Sequence, residues 1–311
     1  MSTLHRILVP TDGSEPSDMA LEFAMRLARA ECAEVVFCSA VDLTGAIAGS
    51  TNPYAATDVG PLVDALEEQS KHVLGKAAAR ASAAGVSAST VELAGPAAGA
   101  IADAVDTQRA DAIVMGTHGL SGVSRFFLGS VADGVLRRVD VPVFVVSQSG
   151  ANVPADVLFS RIAVALDDSD PADAALEFAL DLAQETTKLV LAHVVNIREL
   201  YELAAAERYA ATAAIAQARH AAEELLAAAA ERASRRGANI ETVVIEGEPV
   251  ASFLDLVQTS GAGLAAIGTH GRRGIRRMLF GSVAEGVVRQ SPIPVVVVRR
   301  HRKPAPRPKD S

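Results

Sequence analysis

Short apolar runs alternate with longer amphipathic stretches along the whole chain, and the alternation happens twice. In the first round, apolar runs predict strands at Ile7–Val9, Val35–Val41, Ser87–Leu93, Ala112–Met115 and Val143–Val146. Between them, helical spacing predicts a first helix carrying Ala20, Phe23, Ala24 and Leu27 on one face. Further helices are expected near Leu62–Ala84 and Ala97–Gln108, and one starts at Ser130. The second round repeats this. Ala175, Phe178, Ala179 and Leu182 form the matching stripe, and strands fall at Leu189–Val195, Asn239–Glu246, Leu264–Ile267 and Val295–Val298. A single long Ala-rich helix is expected over Glu199–Arg235, a short one over Val250–Ser260, and a last one from Ser282. Pro16 suits a first helical position, and Gly85 and Gly237 suit the left-handed residue that ends a helix.

The two rounds are copies. RILVPTDGSEPSDMALEFAMRLA, from Arg6, aligns with RIAVALDDSDPADAALEFALDLA, from Arg161. MGTHGLSGVSRFFLGSVADGVLRR, from Met115, aligns with IGTHGRRGIRRMLFGSVAEGVVRQ, from Ile267. A repeat of this length is a whole domain, since solenoid units are only about 20–50 residues long. The expected organisation is a domain over 1–147, a linker over 148–159, a second domain over 160–299 and a tail over 300–311. Strands alternating with helices imply an α/β fold with parallel sheets covered on both faces. Right-handed crossovers gather the strand-to-helix loops on one edge, and ligands bind there, where strand order reverses.

The loop after the fourth strand of each half carries the candidate chemistry. Gly116, Gly119, Gly129 and Ser130 form a G-x2-G-x9-G-S pattern, and Gly268, Gly271, Gly281 and Ser282 form it again. Glycines let backbone approach an anion closely and adopt positive φ. The last Gly-Ser of each pattern opens a helix, whose unpaired N–H groups and positive dipole end favour a phosphate. The Ser hydroxyls can add a bond to phosphate or cap the helix. A tight turn without ligand would show the same residues, but two copies at a strand-to-helix edge favour the ligand.

This motif, the opening ILVPTDGS, and the closing VPVFVV and IPVVVV resemble the nucleotide-binding branch of the universal stress protein family. The resemblance covers nearly all of Arg6–Val146 and Arg161–Val298. It implies two Rossmann-like domains, each a five-stranded parallel sheet of order 3-2-1-4-5. It also implies ATP in both halves, with Mg²⁺ or Mn²⁺ accompanying the phosphates. The motif residues would then hold ribose and phosphates. Asp12 and Asp167 match the family's acidic residue on the adenosine side, and Ala40 and Val194 match its backbone contact to adenine. An Asp at a strand end is also an ordinary turn residue. The halves differ at Pro10-Thr11 against Ala165-Leu166, at Asp111 against Gly263, and in the loop arginines, Arg125 against Arg272, Arg273, Arg276 and Arg277. In the family the last strands pair across a dimer, which implies an intramolecular pseudo-dimer here; a homodimer of such chains also fits.

Composition narrows the function classes. The formal net charge of −8 argues against general nucleic-acid binding. The basic, Pro-rich end, with Arg299, Arg300, Arg302, Lys303, Arg307 and Lys309, reads as a solvated tail or as a hook for an anionic partner. Cys32 and Cys38 lack metal-like spacing and read as reduced thiols. Neither a signal peptide nor an apolar run of membrane-spanning length is visible, so a cytoplasmic location is expected. A Walker loop, a kinase signature set and an evident catalytic base are all missing from the sequence, and His118 and His270 in the motif read as loop residues. A nucleotide-sensing regulatory module with an unidentified regulatory protein partner is therefore expected ahead of a slow or autophosphorylating ATPase, and ahead of a nucleotide-free interaction protein.

Overall fold

A computed structural model describes residues 4–42, 60–117, 128–148, 150, 153–207, 211–269 and 280–299. The chain divides into two compact units, with the boundary after Val146. The first unit runs β1 (Arg6–Pro10), α1 (Glu15–Glu31), β2 (Glu34–Val41), α2 (Gly60–Ala83), β3 (Ala88–Ala94), α3 (Ala97–Thr107), β4 (Ala112–Gly116), α4 (Ser130–Leu136) and β5 (Val143–Val146). Every pairing is parallel: β1 lies between β2 and β4, β3 flanks β2, and β5 flanks β4. Chain direction across the sheet reverses between β1 and β4, which places a crevice at their carboxyl ends.

The core follows from the apolar runs. Ile7, Leu8 and Val9 of β1, Ala112, Ile113 and Val114 of β4, and all four residues of β5 are buried. Continuous burial of this kind marks strands covered on both faces, whereas β3 has only half-buried and exposed positions. The α1 stripe closes one face. Phe23 is fully buried with its ring centroid 5.8 Å from that of Phe144, tilted by 44°. Burying such a ring stabilises by about 1.5–3 kcal/mol, and the tilted pair adds to it. Ser14 caps α1 by accepting from the Ser17 N–H, and the helix begins at Glu15. Pro16 therefore sits second in the helix rather than first, a position whose N–H also has no intrahelical partner. Gly85 and Gly237 hold φ of +68° and +78° after the long helices.

The second unit repeats the plan: α5 (Ala155–Leu158), β6 (Arg161–Ala165), α6 (Asp170–Leu182), β7 (Lys188–Asn196), α7 (Ile197–Glu207), α8 (Ala211–Ser234), β8 (Asn239–Gly247), α9 (Pro249–Thr259), β9 (Leu264–Gly268), α10 (Ser282–Gln290) and β10 (Val295–Val298). Here β6 lies between β7 and β9, β8 flanks β7, and β10 flanks β9, all parallel.

Two expectations need correcting. The helix expected over Glu199–Arg235 is two helices, α7 and α8, and residues 208–210 between them lie outside the described residues. Nothing in Arg208-Tyr209-Ala210 is a helix breaker, so periodicity reads straight through. The expected linker also carries structure. It contains α5, and its Leu158 and Phe159 are buried. Its apolar end belongs to the second unit.

One difference between the halves is explained by the amino edge of the sheet. Asp111 accepts from the N–H groups of His5 and Arg6 at 2.8 and 2.9 Å, tying the start of the chain to β4. In the second unit Gly263 stands there, and a Cβ on it would lie 2.7 Å from the Val157 carbonyl carbon. The short helix α5 occupies the space that the Asp111 side chain takes in the first unit. This difference lies at the end of the sheet opposite the loops and does not bear on a site there.

Candidate functional site

The carboxyl ends of β1 and β2 are stitched together just before the acid. Thr11 N–H donates to the Cys38 carbonyl at 2.8 Å, and Leu166 N–H donates to that of Ala192 at 2.8 Å. Asp12 and Asp167 follow, both half-buried. Asp12 Oδ1 accepts from Ser14 N–H at 3.0 Å and from Ser14 Oγ at 2.6 Å, and Asp167 Oδ1 accepts from Ser169 Oγ at 2.6 Å. Each acid thus orients the serine that caps the next helix, Ser14 on α1 and Ser169 on α6. The turn role is real, and it fixes each carboxylate at the strand end. Ala40 and Val194 lie half-buried near the ends of β2 and β7, opposite Leu93 and Ile245. Within β2 the Cys38 thiol is buried, and loss of solvation pushes its pKa far up, so it stays neutral.

The motif loops begin at the neighbouring strand. Gly116 ends β4 against the first turn of α1: a Cβ there would stand 2.6 Å from the Pro16 carbonyl oxygen. A Cβ on Gly268 would stand 2.7 Å from the Ala172 nitrogen in the first turn of α6. Both glycines are required by strand–helix contact, whatever else they do. The next residues, Thr117 and Thr269, are buried, and their carbonyls accept from the N–H of Gly129 at 2.8 Å and of Gly281 at 2.7 Å. Each loop is therefore closed at its base, bringing the first glycine of the motif beside the last.

Gly129 and Gly281 are the N-cap residues of α4 and α10, and neither helix has a side-chain cap bond. Ser130 and Ser282 are the first helical residues and are exposed. The capping role open to these serines is thus not the one they take. In contrast to α1 and α6, both serine-capped, these two helix starts have first-turn N–H groups that no cap side chain takes. Gly119, Gly271, His118, His270, Arg125, Arg272, Arg273, Arg276 and Arg277 lie outside the described residues. Among the described residues no cluster of three or more His, Cys, Asp or Glu side chains could hold a metal ion.

Thr117 and Thr269, which stand inside the repeated G-T-H-G, are the residues whose carbonyls close the two loops. Thr11 was missed as a structural hydroxyl: its Oγ1 lies 3.2 Å from Ser17 Oγ and accepts from the Gly13 N–H at 3.3 Å. His193 carries no signal in the repeat, because the matching residue in the first half is Ser39.

The sequence profile of the Universal stress protein family matches residues 3–147 and again 158–299. The chain belongs to the universal stress protein family. A universal stress protein of Mycobacterium tuberculosis is 29% identical over 195 residues, covering 62% of this chain and 63% of that protein, less than two thirds of its length. A universal stress protein of Methanocaldococcus jannaschii is 34% identical over 144 residues, 46% of this chain and 82% of its own. The crystal structure of a universal stress protein from Archaeoglobus fulgidus superposes with a TM-score of 0.70 at 26% identity, covering 96% of this chain and 97% of that one. Among the described residues no helix of this universal stress protein is long and apolar enough to cross a membrane.

Proposed function

We propose that each half binds ATP and that the protein is a nucleotide-sensing regulatory module of a stress response. The observation that carries this reading is the pair of uncapped helix starts, each beginning at the last glycine of a motif loop closed at its base. A helix N-terminus without a cap is stabilised by an anion, and a phosphate supplies the acceptors that serine supplies on α1 and α6. Gly116, Gly119, Gly129 and Ser130 would serve ribose and phosphates in the first half, and Gly268, Gly271, Gly281 and Ser282 in the second. Asp12 and Asp167 would face adenosine, with the backbone of Ala40 and Val194 against adenine. A divalent cation would arrive on the phosphate oxygens and neutralise charge there.

On this reading ATP is a signal. Native mass spectrometry of the chain with ATP and Mg²⁺ tests it: ATP-bound species with one and two nucleotides are expected, and an unliganded spectrum at saturating ATP contradicts it. Single-turnover phosphate release separates sensing from hydrolysis. Release slower than nucleotide dissociation supports a sensor, and fast release without a partner supports an ATPase.

A further inference from the structure

The adenosine ends of the two halves are anchored differently. In the first unit the residue before the acid is Thr11, whose hydroxyl is held against Ser17 Oγ and the Gly13 N–H. In the second unit that residue is Leu166, which has no hydroxyl to offer, and its side chain is buried. Another group takes over. His193 of β7 places Nδ1 2.7 Å from the Leu166 carbonyl oxygen. A carbonyl only accepts, so Nδ1 carries the hydrogen and donates. Leu166 is then tied to β7 twice, through its N–H to the Ala192 carbonyl and through its carbonyl to the His193 ring. The matching residue on β2 is Ser39, which is too short to span to the next strand in this way. A hydroxyl lost on one strand coincides with an imidazole gained on its neighbour.

We propose that His193 is a positioning residue for Asp167. By holding the Leu166 carbonyl it fixes the peptide that joins Leu166 to Asp167, and with it the direction in which the acid enters the site. The residue before the acid is thus anchored from β7 in the second half, and through its own hydroxyl to Gly13 and Ser17 in the first. The proposal rests on ATP binding by the second half and concerns the adenosine end of that site alone. Its energetic scale is that of one ordinary hydrogen bond, an affinity effect on the order of fivefold.

The test uses the full chain with the first site disabled by Gly119→Val, and dissociation constants for ATP and for inorganic tripolyphosphate from equilibrium dialysis. His193→Leu is expected to weaken ATP on the order of fivefold and to leave tripolyphosphate unchanged, because the phosphates do not reach Asp167. His193→Asn restores ATP affinity, since the Asn amide nitrogen takes the place of Nδ1, whereas His193→Gln does not. A purely structural role would lower the unfolding midpoint and weaken both ligands alike. Wild-type ATP affinity in His193→Leu, equal weakening of both ligands, or an Asn variant as weak as Leu overturns the proposal. The Asn and Gln variants carry the test where Leu unfolds the chain. A parent with intact His193 that binds tripolyphosphate but no ATP overturns the adenosine assignment, and one that binds neither overturns the nucleotide reading of this half as well.

Discussion

A methyl group on Gly116 would stand 2.6 Å from the carbonyl oxygen of Pro16, so the end of β4 touches the first turn of α1 directly. Backbone lies on both sides of this contact, and neither side can rotate away as a side chain would. Gly116→Ala is therefore expected to destabilise the first unit by about 1–3 kcal/mol through overpacking. Gly268→Ala is expected to do the same in the second unit. Urea unfolding followed by circular dichroism checks both, and an unchanged midpoint in either variant contradicts the close contact.

The start of α1 predicts an asymmetry between the halves. Gly13 has φ of +76°, and a Cβ there would lie 2.9 Å from Val73 Cγ2, while the matching Asp168 accepts φ of +61°. Gly13→Ala meets both the left-handed backbone cost and the Val73 side chain, and is expected to cost about 1–3 kcal/mol. Asp168→Gly relieves backbone strain but frees the unfolded chain, and is expected to change stability by less than about 1 kcal/mol. Urea midpoints of the two variants, measured side by side, decide this.

Much of this arrangement is legible without coordinates, for physical reasons. The central strands are unbroken apolar runs, and a duplicated chain shows each run twice. Gly129 and Gly281 are legible as helix starts because a Gly-Ser pair precedes an amphipathic stretch in both copies. The packing role of Gly116 and Gly268 is hidden, since a glycine required by a close strand–helix contact looks in the sequence like a glycine that would approach a phosphate. The division into α7 and α8 is hidden because no Gly or Pro stands anywhere from Glu199 to Arg235. His193 is hidden because its partner is the backbone carbonyl of Leu166, just past β6, and a bond to backbone leaves no mark in the composition of either segment.

Asp111 offers a control that separates stability from binding. Its carboxylate accepts from His5 and Arg6 at the edge of the sheet away from the motif loop. Asp111→Ala is expected to destabilise the first unit by about 1–3 kcal/mol, leaving two N–H groups without that acceptor. The ATP affinity of the folded variant is expected to equal that of wild type by calorimetry. A variant as stable as wild type, or one that folds but binds weakly, contradicts this separation.

The uncapped helix starts predict where protection changes. Amide hydrogen exchange at Val131, Ala132, Val283 and Ala284 is expected to slow when ATP and Mg²⁺ are added. These amides lie in the first turns of α4 and α10, within reach of a phosphate at Gly129 or Gly281. Ligand at 100 times its dissociation constant stabilises a single site by about 2.7 kcal/mol, which bounds the effect near 100-fold. Saturation with ATP that leaves all four rates unchanged contradicts phosphate binding at these termini.

The most direct measurement of the central claim is the number of nucleotides held per chain. Equilibrium dialysis with ATP and Mg²⁺ is expected to reach two equivalents for the wild type. Gly119→Val and Gly271→Val are each expected to reach one, because on this reading a branched side chain would crowd the close backbone approach that a motif glycine allows to phosphate. The doubly substituted chain is expected to reach none while remaining folded by circular dichroism. A wild-type plateau at one equivalent would remove ATP from one half, and a doubly substituted chain that binds ATP with wild-type affinity would contradict the assignment of both loops.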